Sequence, residues 1–245
     1  MDLVDQGYWD SAYEGFNIDI NTSNDPVAGI LNKYLSNGKG KSVLEIGCFP
    51  GRYLKTFGEL QYELNGVDTT PKTTTLLNDF FVSKGYRIGK IRCESIFDFS
   101  SSEKFEVVCS FGFIEHFQNW KSVVDVHLQH LKPGGILILT VPNFSGVFQY
   151  IFHKIFDKKN LKRHNLKAMN VNKWLHYIKS KKLGHTVLFK GPFGEIDFWV
   201  DEEPTSTLKI KMKNKWFQAV NFLKRKKLPV SDFYAPYKGV IIKFE

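Results

Sequence analysis

Val43-Leu44-Glu45-Ile46-Gly47-Cys48-Phe49-Pro50-Gly51-Arg52-Tyr53-Leu54 is the stretch that decides the fold. Its apolar start predicts a buried strand over 42–46, and two glycines four apart follow at once. Glycine there lets the backbone turn sharply and approach a ligand closely. A helix starting near Gly51 would point its free N–H groups at a carboxylate or phosphate. In an open parallel sheet, ligands bind at the carboxyl ends of the strands, near the point where strand order reverses.

Working outward, the same rhythm repeats. A helix is expected over 51–60, and a short strand over 62–67 that ends at Asp68. An acidic residue at the end of the second strand can accept hydrogen bonds from two ribose hydroxyls. A helix at about 71–84, strands at 86–92 and 105–110, a helix at 119–131, a turn at Pro133-Gly134-Gly135 and an apolar strand at 136–141 continue the pattern. Strands alternating with helices argue for right-handed βαβ units and a parallel sheet covered on both faces. Upstream, the first 40 residues read as helix and loop, with Asp25-Pro26 opening a helix. After Pro142 the rhythm changes. Residues 146–181 read as basic helix, 185–200 as one or two strands, 205–227 as helix in preference to strand, and 238–244 as a closing strand.

The chain has 245 residues, 42 % of them apolar and 15 % aromatic, including 22 Phe, enough to bury a core. Its longest apolar stretch, 136–144, is far short of the roughly 20 residues a spanning helix needs. The acidic start, MDLVDQGYWD, carries no apolar signal core, and the three well-separated cysteines read as reduced thiols, so a cytoplasmic protein is expected. Residues 1–120 hold 11 Lys/Arg against 16 Asp/Glu, whereas residues 121–245 hold 23 against 9. A basic C-terminal half fits an anionic acceptor, a peripheral contact with an anionic (inner) membrane surface, or nucleic acid, and it equally fits a solvated basic face.

Residues 8–145 resemble the class I S-adenosylmethionine-dependent methyltransferases. VLEIGCFPG looks like that family's first motif, NGVD at 65–68 like its second, FEVVCSFGFIEHF at 105–117 like its fourth strand and loop, and LKPGGILILTVPNF at 131–144 like its fifth-strand block. A dinucleotide dehydrogenase would instead show the tighter G-x-G-x-x-G, with no Glu in the strand. The resemblance implies a Rossmann-like, doubly wound α/β fold with a mostly parallel seven-stranded sheet, helices on both faces and a basic helical insertion after the fifth strand. It implies one methyltransferase domain over 1–245: an N-terminal helical lid (1–40), a cofactor-binding core (41–145), an insertion on the acceptor side (146–184), and C-terminal strands with a basic helix (185–245).

For the cofactor, S-adenosylmethionine, the resemblance implies that Glu45 holds the turn near the methionine amino group. Backbone at Gly47, Cys48 and Gly51 would line the methionine portion, Asp68 would bind the ribose, and Phe111 would offer backbone near the sulfonium. The third motif departs from the family: Cys93-Glu94-Ser95-Ile96-Phe97 has Ser95 or Glu94 where many relatives have Asp, with Ile96 and Phe97 beside the adenine or in the core. Tyr8-Trp9 and Tyr13 would fold over the cofactor, Tyr8 among its contacts, or simply pack a helix.

Methyl transfer from a sulfonium is an in-line displacement that chiefly needs proximity and alignment. If the acceptor is a hydroxyl, a base helps, and His116, oriented by Glu115, is its expected carrier, with a substrate-orienting role as the alternative. His164 and Asn165 in the insertion are expected to meet a substrate hydroxyl or phosphate, or to lie on a solvated helix. His127, His130, His153, His176 and His185 have no metal-ligand spacing, so no metal site is expected. The function expected is methyl transfer to a small molecule or glycan, at oxygen because Cys109-Ser110-Phe111-Gly112 lacks the Asn/Asp-Pro-Pro-Tyr/Phe motif of many amino-directed nucleic-acid enzymes, in a setting such as polysaccharide biosynthesis. An RNA- or protein-directed methyltransferase and a non-catalytic binding protein on the same fold stay open.

Overall fold

The computed structural model describes residues 3–16, 18, 20, 22–99 and 102–245. Two helices precede the sheet. In α1 (Gln6–Ala12) the Asp5 carboxylate caps the first turn through the Tyr8 N–H. In α2 (Pro26–Tyr34) the Asp25 side chain accepts from Val27 and Ala28, and Pro26 sits at the first position, where its missing N–H costs nothing. The remaining positions of the expected lid, 1, 2, 17, 19 and 21, lie outside the described residues.

The alternating region forms β1 (Ser42–Ile46), α3 (Arg52–Glu59), β2 (Glu63–Asp68), α4 (Thr73–Ser83), β3 (Ile88–Cys93), β4 (Phe105–Phe111), α5 (Trp120–Gln129) and β5 (Leu131–Pro142). The C-terminal part adds α6 (Val147–Phe156), α7 (Lys158–Lys162), α8 (Val171–Ser180), β6 (His185–Phe193), α9 (Thr207–Lys224) and β7 (Tyr237–Phe244). The strands make one seven-stranded sheet in the order β3-β2-β1-β4-β5-β7-β6. The first five are parallel, and β7 runs antiparallel to both β5 and β6. Chain order reverses between β1 and β4, which puts a crevice at the carboxyl ends of those strands.

Burial explains the strand patterns. β1, β2 and β4 are central and buried along almost their whole length, while edge strand β3 exposes most of its residues. Along β1, Val43 enters the core beneath α2, α3 and α4, and its neighbour Leu44 enters the core beneath α5 and α8. A third, smaller cluster joins Phe152 and Phe156 of α6 to Ile196, Phe198 and Val220.

Two expectations need correction. Pro133-Gly134-Gly135 is not a turn ahead of β5 but an irregularity within it: pairing jumps from Phe105↔Leu131 to Val107↔Ile136, with Gly134 at φ +75. The helix expected over 146–181 breaks between α7 and α8, because the Asn165 N–H is drawn to the Glu115 carbonyl and Asn170 starts a new helix by capping Lys173. Residues 185–200 give one strand, β6, within the one or two expected, since Gly194 at φ +88 turns the chain away. Residues 207–224 are helical as expected, with Lys213 and Val220 buried and Leu208, Met212 and Phe222 exposed. Among the described residues no helix is long and apolar enough to cross a membrane.

Candidate functional site

The glycine bend meets the second strand at the sheet's carboxyl edge. Gly47, at φ +73, and Cys48 both donate their N–H to the Val67 carbonyl, so the bend is tied to the end of β2. The Asp68 carboxylate accepts from the Phe49 N–H at 3.0 Å and the Thr70 N–H at 2.8 Å. Burial raises its carboxyl above the ordinary value, against the pull of the Thr70 N–H and hydroxyl and of the Phe49 and Thr69 N–H groups. A cavity of about 640 Å³ opens here. Gly47, Phe49, Asp68, Thr69 and Thr70 form one side, Glu94, Ser95, Ile96 and Phe97 a second, and Phe111, Gly112, Phe113, His116 and Phe117 a third.

The N-terminal segment closes this cavity from above. Leu3, Val4, Asp5, Gln6, Trp9 and Tyr13 complete its lining. The Leu3 N–H donates to the His116 carbonyl, Gln6 Nε2 to the Thr69 carbonyl and Lys72 Nζ to the Tyr13 carbonyl. α1 itself has no buried residue, so these few bonds, with the Trp9 ring against His116 and the Tyr13 ring against Phe49, help hold it in place.

A second cavity, about 480 Å³, lies on the other side of the same turn. Tyr8, Phe144, Trp199 and Tyr237 give it aromatic walls, and Arg52, Glu115, Arg163, His164 and Asp201 give it polar groups. Trp9, Tyr13, Gly112 and His116 line both cavities. Three chain segments are strapped together here. Tyr8 Oη donates to Asp201 Oδ2 at 2.9 Å, Arg163 also pairs with Asp201, and the Arg163 guanidinium lies 4.2 Å from the centre of the Tyr8 ring. Burial is the largest cause pushing the Tyr8 hydroxyl up to about 12, so it stays a donor at neutral pH.

His116 and Glu115 occupy a short 3₁₀ turn, Ile114–His116, just after β4. His116 Nδ1 lies 3.2 Å from the Arg163 carbonyl, which can only accept, so Nδ1 carries the proton. Burial, then the neighbouring His164, lowers the His116 imidazole to about 3, against the carbonyls of Arg163 and Gly112. Glu115 is fully buried, neither of its carboxylate oxygens has a hydrogen-bond partner among the described residues, and burial pushes it up to about 8. His164 Nδ1 lies 2.7 Å from the Asn160 carbonyl, its ring centre is 4.6 Å from that of His116, and burial lowers it to about 4.

The residues singled out from the sequence therefore fall into distinct places. Gly47, Asp68, Ser95, Ile96, Phe111 and His116 line the first cavity. Tyr8, Glu115 and His164 line the second, Tyr8 because its hydroxyl is drawn to Asp201 on the far side of α1. Glu45, Cys48, Gly51 and Asn165 line neither. Glu45 is buried under the bend, where its carboxylate takes the Leu54 N–H in the first turn of α3 and burial raises its carboxyl. Gly51 opens α3 at φ +87, a left-handed conformation that favours glycine, and a Cβ there would also stand 2.6 Å from Leu77 Cδ2. Cys48 is packed against Gly66, and the Asn165 amide is spent on the Phe117 carbonyl. Sequence reasoning did not find Arg163, Trp199, Asp201 or Tyr237. Arg163 lay in a lysine-rich run that reads as solvated, and the others stand in no motif.

Residues 24–187 match the family described as "Methyltransferase domain". A ubiquinone biosynthesis O-methyltransferase from Bradyrhizobium sp. is 26 % identical over 111 residues, 45 % of this chain and 44 % of that protein. The chain spans about half the length of the curated relatives it matches. Among solved structures, a SAM dependent methyltransferase from Archaeoglobus fulgidus superposes with a TM-score of 0.56 at 18 % identity, covering 98 % of this chain and 100 % of that one. The plantazolicin methyltransferase BpumL, solved with a desmethylPZN analog and SAH, gives a TM-score of 0.56 at 14 % identity, covering 89 % and 80 %. These likenesses are of fold.

Proposed function

The chain belongs to the methyltransferase-domain family, and on that premise we propose that it moves a methyl group from S-adenosylmethionine in the first cavity to a hydroxyl oxygen of a small, ring-bearing acceptor in the second. The observation that carries this reading is the shared wall: two cavities meet at Gly112 and His116, directly after β4 and beside the β1 bend.

The residues present fit the donor. A Cβ on Gly47 would fall 2.4 Å from Phe113 Cδ2, so only glycine keeps that part of the cradle open. Backbone N–H groups, those of Phe49 and Thr70 among them, hold the Asp68 carboxylate at the cavity wall, where it can accept from a ligand hydroxyl. Trp9, Tyr13 and Phe111 supply aromatic faces, which attract a cation such as a sulfonium. When bound, S-adenosylmethionine supplies a methyl group already activated by its positive sulfur. The protein's part is alignment and exclusion of water.

On the acceptor side, aromatic walls with a few convergent polar groups suit a flat phenol or the apolar face of a sugar. Phenolic acceptors are favoured by the likeness to ubiquinone biosynthesis O-methyltransferases, and glycans by nothing beyond the sequence. The low basicity of His116 makes it an orienting acceptor for the substrate hydroxyl more than a proton store, because a base works best with a pKa near the operating pH.

Calorimetry with S-adenosylhomocysteine, followed by methyl-transfer assays on a panel of catechols, phenols and monosaccharides, tests the reading. Micromolar binding and turnover on a hydroxylated ring are expected. No heat with the demethylated cofactor would remove it.

A further inference from the structure

Folding brings His164 of the insertion against Glu115 and His116 of the turn after β4. One donor atom from each of the three side chains lies within 4.8 Å of the other two. Both imidazoles already spend Nδ1 on backbone carbonyls, His116 on Arg163 and His164 on Asn160. That fixes the tautomer and leaves each Nε2 as a neutral lone pair, the form in which histidine binds a metal; such backbone bonds are the usual support of metal-ligating histidines.

Glu115 supplies the independent observation. Buried carboxylates are hydrogen-bonded or paired with a charge. This one is 0 % exposed, and neither oxygen has a hydrogen-bond partner among the described residues. Arg163 does not serve it, because its guanidinium turns to Asp201 and Glu202. Glu115 nevertheless lines the second cavity together with both histidines.

We propose that Glu115, His116 and His164 bind a divalent transition-metal cation in the second cavity. Donors held about 2.0–2.2 Å from one ion stand roughly 3–4 Å apart, and rotation of the unbonded Glu115 carboxylate closes the present spread. Two imidazoles and one carboxylate suit Zn²⁺, Co²⁺ or Fe²⁺ over Mg²⁺ or Ca²⁺, which prefer oxygen donors. Three protein ligands leave a position open toward the cavity. There the cation, held by His116 Nε2, would replace the hydrogen bond from the acceptor hydroxyl to that nitrogen; it would take the acceptor oxygen and lower its pKa, the proton leaving to water. The oxygen's electron pair then forms the O–CH₃ bond as the S–CH₃ pair returns to sulfur, which becomes a neutral thioether. This use of the cation rests on the methyltransferase reading, whereas the site itself does not.

The test is titration of chelator-treated protein with CoCl₂, read by the visible absorption bands of nitrogen-ligated Co²⁺, with ZnCl₂ and MgCl₂ as competitors. One equivalent of Co²⁺ is expected to bind, displaced by Zn²⁺ and not by Mg²⁺. His164→Gln and Glu115→Gln are each expected to weaken binding at least tenfold, while calorimetry with S-adenosylhomocysteine shows that the variants keep the first cavity. Absence of the bands, or equal Co²⁺ affinity in wild type and both variants, would overturn the site. Co²⁺ bands without S-adenosylhomocysteine binding would count against the methyltransferase reading alone, and the reverse pattern against the metal site alone.

Discussion

The two cavities share four wall residues but are built by different means. The first takes its key groups from the carboxyl ends of adjacent parallel strands: Gly47 after β1, Asp68 at the end of β2, Phe111 at the end of β4. Their spacing is set by the register Ile46↔Val67 and Glu45↔Cys109, part of a continuous hydrogen-bonded ladder. The second is assembled from α1, the 3₁₀ turn, Phe144, the α7 region, the Trp199–Asp201 stretch and β7. These are held by individual side-chain bonds, such as Tyr8–Asp201 and Arg163–Asp201, each worth about 1 kcal/mol. A ladder moves as a unit, whereas a strap can change one bond at a time. The donor side is thus expected to tolerate changes on the acceptor side, and not the reverse.

The sharpest test of that asymmetry is His116, which belongs to both cavities. His116→Ala is expected to lower turnover by roughly tenfold to a hundredfold, a cost of about 1–3 kcal/mol for losing a group that orients the acceptor, directly or through a bound cation. Affinity for S-adenosylhomocysteine should stay within a few-fold, and a turnover loss below tenfold would reduce His116 to a wall residue. Next in size, Asp68→Ala should weaken S-adenosylhomocysteine by about 1–3 kcal/mol, the cost of losing hydrogen bonds to a charged group. An unchanged dissociation constant would detach the second strand from the donor site.

Tyr8→Phe removes one strap bond and should cost about 1 kcal/mol. Hydrogen exchange should show it as faster exchange in α1, with β1 and β4 unaltered. If protection of the strands fell equally, the strap and ladder would be one cooperative unit.

The smallest effect lies at the opposite edge of the sheet. Burial alone would raise the Glu106 carboxyl, but Lys132 together with the Ser42 N–H and hydroxyl outweighs it and holds the group at about 2. The folded value lies below the ordinary 4.5, so this contribution is present above pH 4.5 and lost as pH falls from there toward 2. The side chain is 29 % exposed by area and paired with a half-exposed lysine, so screening keeps the gain to about 1 kcal/mol or less. Urea midpoints against pH for wild type and Glu106→Gln should converge in acid. A difference that persists below pH 2 would assign the effect to something other than ionisation.

The fold was legible wherever a pattern was local. The strand–bend–helix run around Gly47 and the acidic end of NGVD could be read because a buried parallel strand needs an unbroken apolar run and the turn follows it directly. Gly51 is equally local: its φ of +87 opens α3 in a conformation that favours glycine, and a Cβ there would also press on Leu77. Tyr8 and Trp9 are neighbours in an aromatic cluster, but on a helix they diverge, Trp9 reaching both cavities and Tyr8 only the second.

From its residues alone this chain determined a parallel α/β sheet, the position of its binding edge and the bend that shapes it, because period, apolar run length and turn chemistry are short-range properties. Tertiary structure alone decided which distant groups converge beyond that edge: Arg163 onto Asp201, and His164 beside a carboxylate with no partner of its own. Such meetings depend on where a broken helix and a long return segment come to rest, and no local regularity encodes that.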